Sequence, residues 1–459
     1  MVDRFFVEKF SYIVLLIPLL LITGPFLPDL IVSLSCIFFI YLNLSKKRFF
    51  FNNNFVKIFI LFYITLIISS IFSENLLPSL KSSFFYFRFG LFIIVLIYFF
   101  NNNNKFEKRF IKIGLISILI VILSCLIEFF LLRFDYLSKL LFIINNTADD
   151  INFSVQHGAL INSVHNRVSG IFGSEGVAGS FLLRISPFFY FYYLINFFKK
   201  KQPTIKKIII LNLIFLLIPI TVLLTGERAS FILVCFSIFL NFIIIKRLRK
   251  YLKYSLYASL ILVFTIVSFD PIIKSRLIYE TKYQLTHFHD LSNKNVTKDK
   301  SNKQKIFLVS EVHQGHFIAA WKIFLENKYL GAGLKGFRYK CFKDKNFTSD
   351  NLVSCSTHPH NILMQFLSET GILGTLFYVL LLFYVSFQII KNIFLVNIKK
   401  INTSINKDIQ NCALICILIS IWPLTTSGSF FNNWLSILYY LPIVFYLKDQ
   451  EFMKNVKSS

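Results

Sequence analysis

The chain has 459 residues, of which 55% are hydrophobic and 57 are phenylalanine, with a mean hydropathy of +0.64 and a formal net charge of +26. That apolarity excludes a set of soluble domains, and the charge fits the Lys and Arg that cytoplasmic loops of membrane proteins collect. Nucleic acid is not an expected partner, because no basic stripe is interleaved with base-stacking aromatics.

The N-terminal stretch MVDRFFVEKFSYIVLLIPLLLITGPF is basic and then apolar. It lacks a small-x-small cleavage site and runs into another apolar segment, so it reads as a first transmembrane helix. Apolar runs near 11–24, 27–44, 55–72, 83–100, 111–132, 177–197, 207–225, 228–245, 253–270, 371–390, 409–425 and 429–447 succeed one another along the chain. They predict about twelve helices, each near the roughly 20 residues that a bilayer requires. Basic clusters follow the even-numbered helices: Lys46, Lys47 and Arg48; Lys105, Lys108 and Arg109; Lys199 to Lys201; Lys246, Arg247 and Arg249; Lys391, Lys399 and Lys400. By the positive-inside rule both termini are cytoplasmic.

The expected fold is therefore an all-α polytopic membrane protein. Transmembrane helices one to nine occupy 1–270, with an outer loop near 133–176. A large outer loop fills 271–370, between helices nine and ten. Helices ten to twelve and a cytoplasmic tail complete 371–459. Within the large loop, LSNKNVTKDKSNKQK is too polar to pack, and EVHQGHFIAAWKIFLEN has helical spacing suited to a membrane surface. All 8 histidines (His157, His165, His287, His289, His313, His316, His358 and His360) fall in the two outer segments, which places the chemistry on that face.

Cys36, Cys125, Cys235, Cys412 and Cys416 lie in apolar helices, where cysteine behaves as a small hydrophobe. Cys341 and Cys355 share the large outer loop and are expected to form a disulfide. Closing a loop of roughly 15 residues contributes about 3 kcal/mol in the chain-entropy picture, and would brace the segment before His358.

Charges in apolar helices need a reason, since each costs roughly 2.5–3.5 kcal/mol on the insertion scale. Lys81 and Arg88 are seven apart, which puts them on nearly one helix face, and such a pair suits a phosphate. Arg228 sits in the turn TGERAS, where its fork can grip a diphosphate in a way lysine cannot. Arg167 opens RVSGIFGSEGVAGSFLLR, whose glycines at 170, 173, 176 and 179 allow close backbone approach. Two readings stand for this segment: a re-entrant cap on the bundle, or a wall of the substrate site.

The most informative stretch is THPHNILMQFLSETGILG, Thr357 to Gly374. A helix starting near His358 aligns His360, Met364, Leu367, Gly371 and Gly374 in one stripe. His358 reads as an interfacial histidine. His360 reads as a neutral imidazole able to take a proton from a hydroxyl. Glu369 falls about half a turn away from His360 and reads as structural support. GAGLKG, Gly331 to Gly336, matches a dinucleotide fingerprint but lacks a preceding strand and a βαβ unit. HQGH, His313 to His316, matches no familiar zinc spacing, so no metal and no cofactor are expected.

Four motifs, RVSGIFGSEGVAG, TGERAS, WKIFLENKYLGAGLKGFR and HPHNILMQFLSETGILG, resemble the O-antigen ligase and O-antigen polymerase family of bacterial envelope glycosyltransferases. The resemblance covers nearly the whole length and implies a GT-C-like architecture in the bacterial inner membrane. It implies inverting, metal-independent transfer of a glycan from undecaprenyl diphosphate at the periplasmic face. By that likeness His360 activates the acceptor hydroxyl, and Arg228 binds the diphosphate with Lys81, Arg88 and Arg167 nearby. His313, His316 and Glu369 would support the acceptor or the loop. Ser174 and Glu175 depart from a common Pro-Asn pair, and His316 stands where an arginine often precedes the tryptophan, Trp321 here. Arg276 or Arg338 would then serve as the second diphosphate arginine. The acceptor is lipid A core for a ligase and a second lipid-linked repeat for a polymerase, with the ligase favoured. A transporter of lipid-linked oligosaccharide is the more distant alternative.

Overall fold

Long apolar runs can satisfy their backbone groups in lipid only as helices or closed barrels, and no strand occurs among the described residues. The structure, a computed structural model, describes residues 4–46, 54–103, 105–146, 167–173, 175–198, 204–282, 311–343 and 355–448. Residues 147–166 of the first outer segment, the polar run 291–305, and His157, His165, His287 and His289 lie outside the described residues.

In chain order the helices are α1 (Arg4–Leu15), α2 (Ile17–Leu20), α3 (Phe26–Lys46), α4 (Asn54–Ile71), α5 (Leu76–Phe84), α6 (Phe87–Asn102) and α7 (Phe106–Asn146). They continue with α8 (Ala178–Phe197), α9 (Ile205–Leu224), α10 (Arg228–Ile244), α11 (Lys246–Phe269) and α12 (Pro271–Lys274). The set closes with α13 (Glu311–Glu326), α14 (Gly336–Lys343), α15 (Ile362–Asn397), α16 (Ile405–Ser420) and α17 (Asn433–Leu447). Among the described residues, 7 stretches are long and apolar enough to cross a membrane: Phe26–Leu44, Asn54–Ile71, Leu76–Asn102, Phe106–Leu132, Ile205–Leu224, Lys246–Phe269 and Ile362–Asn397. Arg228–Ile244 and Asn433–Leu447 are shorter apolar helices. The protein is an all-α polytopic membrane protein.

Two expected boundaries differ. The first predicted span, 11–24, is broken into α1, α2 and a 3₁₀ turn over Leu21–Thr23, with a proline in the first turn of α2 that cannot donate to the preceding helix. The loop expected from 133 starts later, because α7 continues to Asn146 although its apolar stretch ends at Leu132.

The outward faces are apolar. On α4, Val56, Phe62 and Leu66 are buried, whereas Ile58, Leu61, Ile64 and Ile68 are exposed. A helix that is apolar on both sides has one face in protein and the other in lipid. Arg88, in the first turn of α6, donates from Nε and Nη2 to the Asp29 carboxylate of α3 at 2.9 and 3.1 Å. Asn433 Nδ2 donates to the same carboxylate at 3.0 Å.

The chain divides into two compact units, Met1–Phe110 with Glu280–Ser459, and Ile111–Tyr279. In the second unit, Ile220, Leu223 and Leu224 of α9 pack with Ile273 of α12, and most of α8 is buried. In the first, α15 carries a break at Gly371, whose φ of 61° and ψ of −162° no helix contains. The residues flanking the break pair with the loop between α13 and α14. Ile372 and Leu373 donate N–H groups to the carbonyls of Lys328 and Tyr329, at 2.8 and 3.3 Å. The Ser368 carbonyl accepts from Ala332 N–H at 2.8 Å, and the Glu369 carbonyl from Ser69 Oγ at 2.9 Å. GAGLKG, a spurious nucleotide signature, thus begins in the stretch of backbone that heals an interrupted helix.

Substituting Gly371→Ala would place a Cβ 2.5 Å from the Tyr329 carbonyl and 2.6 Å from the Gly331 nitrogen. A left-handed non-glycine residue costs about 1–3 kcal/mol before any clash. Gly24→Ala is the control, since Gly24 also has positive φ but nothing lies within 4 Å of the added carbon. In detergent, G371A is expected to lower the thermal unfolding midpoint much further than G24A. Equal midpoints would show that the loop does not hold the break.

Candidate active site

In the first unit, the site grows from the turn that starts α15. Asn361 is the N-cap: its Oδ1 accepts the Met364 N–H at 3.1 Å, and its Nδ2 donates to the Pro423 carbonyl at 2.7 Å. The helix therefore begins at Ile362, after the histidines. This corrects the expected stripe: His360 lies outside the helix, and Gly371 and Gly374 are separated from it by the cap and by the break. His360 has a φ of 55°, and its carbonyl accepts from Ser427 N–H at 2.8 Å. A left-handed histidine persists only where its surroundings over-determine it, and such strain gathers at functional positions.

The bend directs four imidazoles together. The His360 ring centroid is 4.1 Å from that of His358, 5.2 Å from His316 and 5.5 Å from His313. His313 and His316 stand one helical turn apart on α13, and His316 is buried. Burial, and then the neighbouring His360, push the His358 imidazole down from 6.5 to about 3. Burial, followed by His316, also holds His360 below its ordinary value. Both rings are thus neutral near pH 7, and His358, held at about 3, is a weak base. Among the described residues, no group of three or more His, Cys, Asp or Glu side chains converges to hold a metal ion.

Support comes from behind. The Glu369 carboxylate, fully buried in α15, accepts from Gln365 Nε2 at 2.9 Å and from the backbone N–H groups of Lys335 and Phe337 at the start of α14. Gln365 in turn accepts the Phe430 N–H at 2.8 Å. A disulfide joins Cys341 of α14 to Cys355, with a Cα separation of 5.5 Å. Lys340 of α14 is buried and pairs with Glu74 at 2.9 Å and Glu326 at 3.5 Å; these lysine contacts hold the Glu74 carboxyl below its ordinary value.

The second unit holds a cleft of about 660 Å³, open mouth included, lined by Arg167, Arg228, Arg276 and Glu227. Its remaining walls include Phe129, Leu132, Leu224, Phe231 and Ile273. Each arginine is placed by a specific local device. Arg167 precedes a 3₁₀ turn that Glu128 anchors by accepting the N–H groups of Ser169, at 2.8 Å, and Gly170. Arg228 opens α10 next to Glu227, whose carboxylate accepts from Gly179 N–H at 2.7 Å and Ser230 Oγ at 2.9 Å. Arg276 follows α12, capped by Asp270. Its Nε lies 2.7 Å from where a Gly226 side chain would be, so that glycine makes room for the guanidinium. Three guanidinium groups against apolar walls suit a phosphorylated lipid.

The basic pair at Lys81 and Arg88 does not form as expected. The helix is interrupted between α5 and α6 at Phe85 and Tyr86, so the two residues share no continuous face, and Arg88 is gripped by Asp29. Lys81 is exposed in the last turn of α5. Sequence reasoning missed Glu128, although a lone carboxylate in an apolar helix is a signal of its own. It also missed the capping role of Asn361.

A family model described as O-antigen ligase matches residues 213–379. No curated protein matches the chain. The matched stretch contains Arg228, Arg276, His313, His316, His360 and Glu369, which are drawn from both the arginine cleft and the imidazole cluster. Through this region, which spans about a third of its length, the chain is similar to the O-antigen ligase family.

Proposed function

We propose that the protein is an O-antigen ligase that moves a glycan from undecaprenyl diphosphate to a hydroxyl of lipid A core, at the periplasmic face of the bacterial inner membrane. The observation that carries this reading is the cleft in which Arg167, Arg228 and Arg276 line one apolar-walled space. A polyprenyl diphosphate presents that combination of dianionic head and hydrocarbon tail. The family match supports the class of reaction.

Transfer proceeds as a single inverting displacement. His360 takes the proton of the acceptor hydroxyl as its oxygen attacks the anomeric carbon. The bond from that carbon to the diphosphate oxygen breaks, and its electron pair leaves with the lipid diphosphate. We assign stabilisation of that leaving charge to the guanidinium groups of Arg228 and Arg276, with Arg167 assisting. Asp29 neutralises Arg88, which leaves it a structural part.

His360→Ala is expected to lower kcat by about 10²- to 10⁴-fold, the usual contribution of a general base. Arg228→Ala and Arg276→Ala are each expected to cost about 10²-fold in kcat/KM, and Arg276→Lys should fail to restore it, because an ammonium lacks the fork. In the producing cell, capped lipid A should disappear in H360A. If the glycan ladder instead shortens to one unit with capping retained, the polymerase reading replaces this one. If neither changes, the transferase reading fails.

Acidification gives a separate check. The base must be unprotonated, and His360 is held below 6.5 by burial and His316. Transfer is expected to persist as pH falls from 7 to 6.5 and to fail only below it, as pH passes through the lowered folded value. The stability contributed by neutral His358 and His360 runs the same way: it is present above the unfolded value of 6.5 and lost as pH drops towards the folded values. An acid limb centred above 6.5 would contradict the assignment of His360 as base.

A further inference from the structure

Helix α13 carries apolar residues on a buried side and on an exposed side. One is accounted for: Ala319, Ala320 and Ile323 are fully buried and pack with Ala332, Phe337 and Cys341 in a small core. His316 lies on this same buried side. The opposite side carries Phe317, Ile318, Trp321 and Leu325 at helical spacing. Trp321 and Leu325 are each 47% exposed, and Tyr329, just past the helix, is 74% exposed. The polar Lys322 and Glu326 occupy the arc between these two sides, and an exposed apolar stripe of this kind is stabilised where it meets a non-aqueous neighbour.

The residues just past the C-terminal end of α13 fix that neighbour. The carbonyls of Lys328 and Tyr329 accept the N–H groups of Ile372 and Leu373. Those two residues open the outward stripe of α15, where Ile372, Leu373 and Leu376 are about half exposed on a stretch long and apolar enough to span a membrane. On the adjoining side, Ser73 Oγ donates to the Ala332 carbonyl at 2.6 Å. Ser73 follows the exposed Phe72 at the end of another span, α4. The outward face of α13 is therefore continuous, through hydrogen-bonded backbone, with the lipid-facing surface of two membrane helices. Tryptophan and tyrosine at such a level are the residues that settle at the bilayer boundary, and the exposed Lys328 can reach lipid phosphates from there.

We infer that α13 is an interfacial helix whose Trp321, Leu325 and Tyr329 insert into the lipid headgroup layer, holding His313 and His316 at the depth of a lipid-linked phosphate. The occupant of this face is the bilayer, not a protein. The functional consequence rests on the transferase reading above; the membrane contact does not.

The test uses the full chain in nanodiscs. Trp321 fluorescence is isolated as the difference between the wild-type protein and Trp321→Phe, which leaves Trp422 and Trp434 in place. The difference signal is expected to be quenched by phospholipids brominated near the glycerol end of the acyl chain, and to be insensitive to aqueous iodide. Quenching by iodide without quenching by brominated lipid would overturn the proposal by placing the face in water. Insensitivity to both would overturn it by placing the face against protein. Because W321F could disturb packing, Leu325→Ser is the second arm. It should raise the KM for a bilayer-embedded donor and leave kcat unchanged; no change in KM counts against the proposal. H360A separates the two readings: it should abolish transfer and leave the Trp321 quenching unaltered. If H360A stays active while Trp321 is quenched by lipid, the surface stands and the assigned base falls.

Discussion

An interrupted helix in a membrane protein must find new partners for the backbone groups that the break releases, because no water is there to take them. In α15 the break falls at Gly371, and the groups around it are met by the backbone of residues 328–332 and by a serine of α4. Nothing bulkier than glycine fits, since the Tyr329 carbonyl and the Gly331 nitrogen lie against the missing side chain. This contact ties the loop that carries α13 and α14 to the helix that begins with the histidine turn. Glu369 extends the same joint, with its carboxylate at the start of α14 where the free N–H groups and the helix dipole favour an anion. The disulfide and the Lys340 pairs then hold the far side of α14.

With that frame in place, the imidazole cluster is a matter of packing and strain. His360 adopts a left-handed backbone because Asn361 must cap the helix and Ser427 must bond the His360 carbonyl. The cost of about 1–3 kcal/mol is offset by those bonds, and the outcome is a ring crowded against other rings. Crowding and burial both disfavour an added positive charge on His358 and His360.

The arginines illustrate two opposite uses of the same side chain. Arg88 and Arg184 are held by local acceptors, Asp29 for the first and the Ser180 carbonyl and hydroxyl for the second. Arg167, Arg228 and Arg276 instead border a shared cleft, placed there by the carboxylates of Glu128, Glu227 and Asp270, each of which holds nearby backbone N–H groups. The apolar walls keep water from that cleft, so a guanidinium contact to an anion there is stronger than at an open surface.

Hydrophobic run length and loop charge made the class of fold legible from residues alone, because a bilayer imposes one length and one permitted backbone on every span. The TGERAS turn, the HPHN stretch and the paired outer cysteines stood out for the same reason: polar groups amid apolar sequence need a purpose. Four things were not legible. Local periodicity treats a helix as continuous, so it could not see the breaks at Phe85 and Gly371, which depend on distant partners or on a turn taken in the helix. It could not pair Asp29 with Arg88 across a sequence separation of 59. It could not bring His313 and His316 beside His360, or seat Arg276 over Gly226. Sequence by itself determined which residues must leave water and which must remain polar. Only tertiary structure decided which polar groups neutralise one another and which border a shared cleft, since that depends on distances that no spacing along the chain encodes.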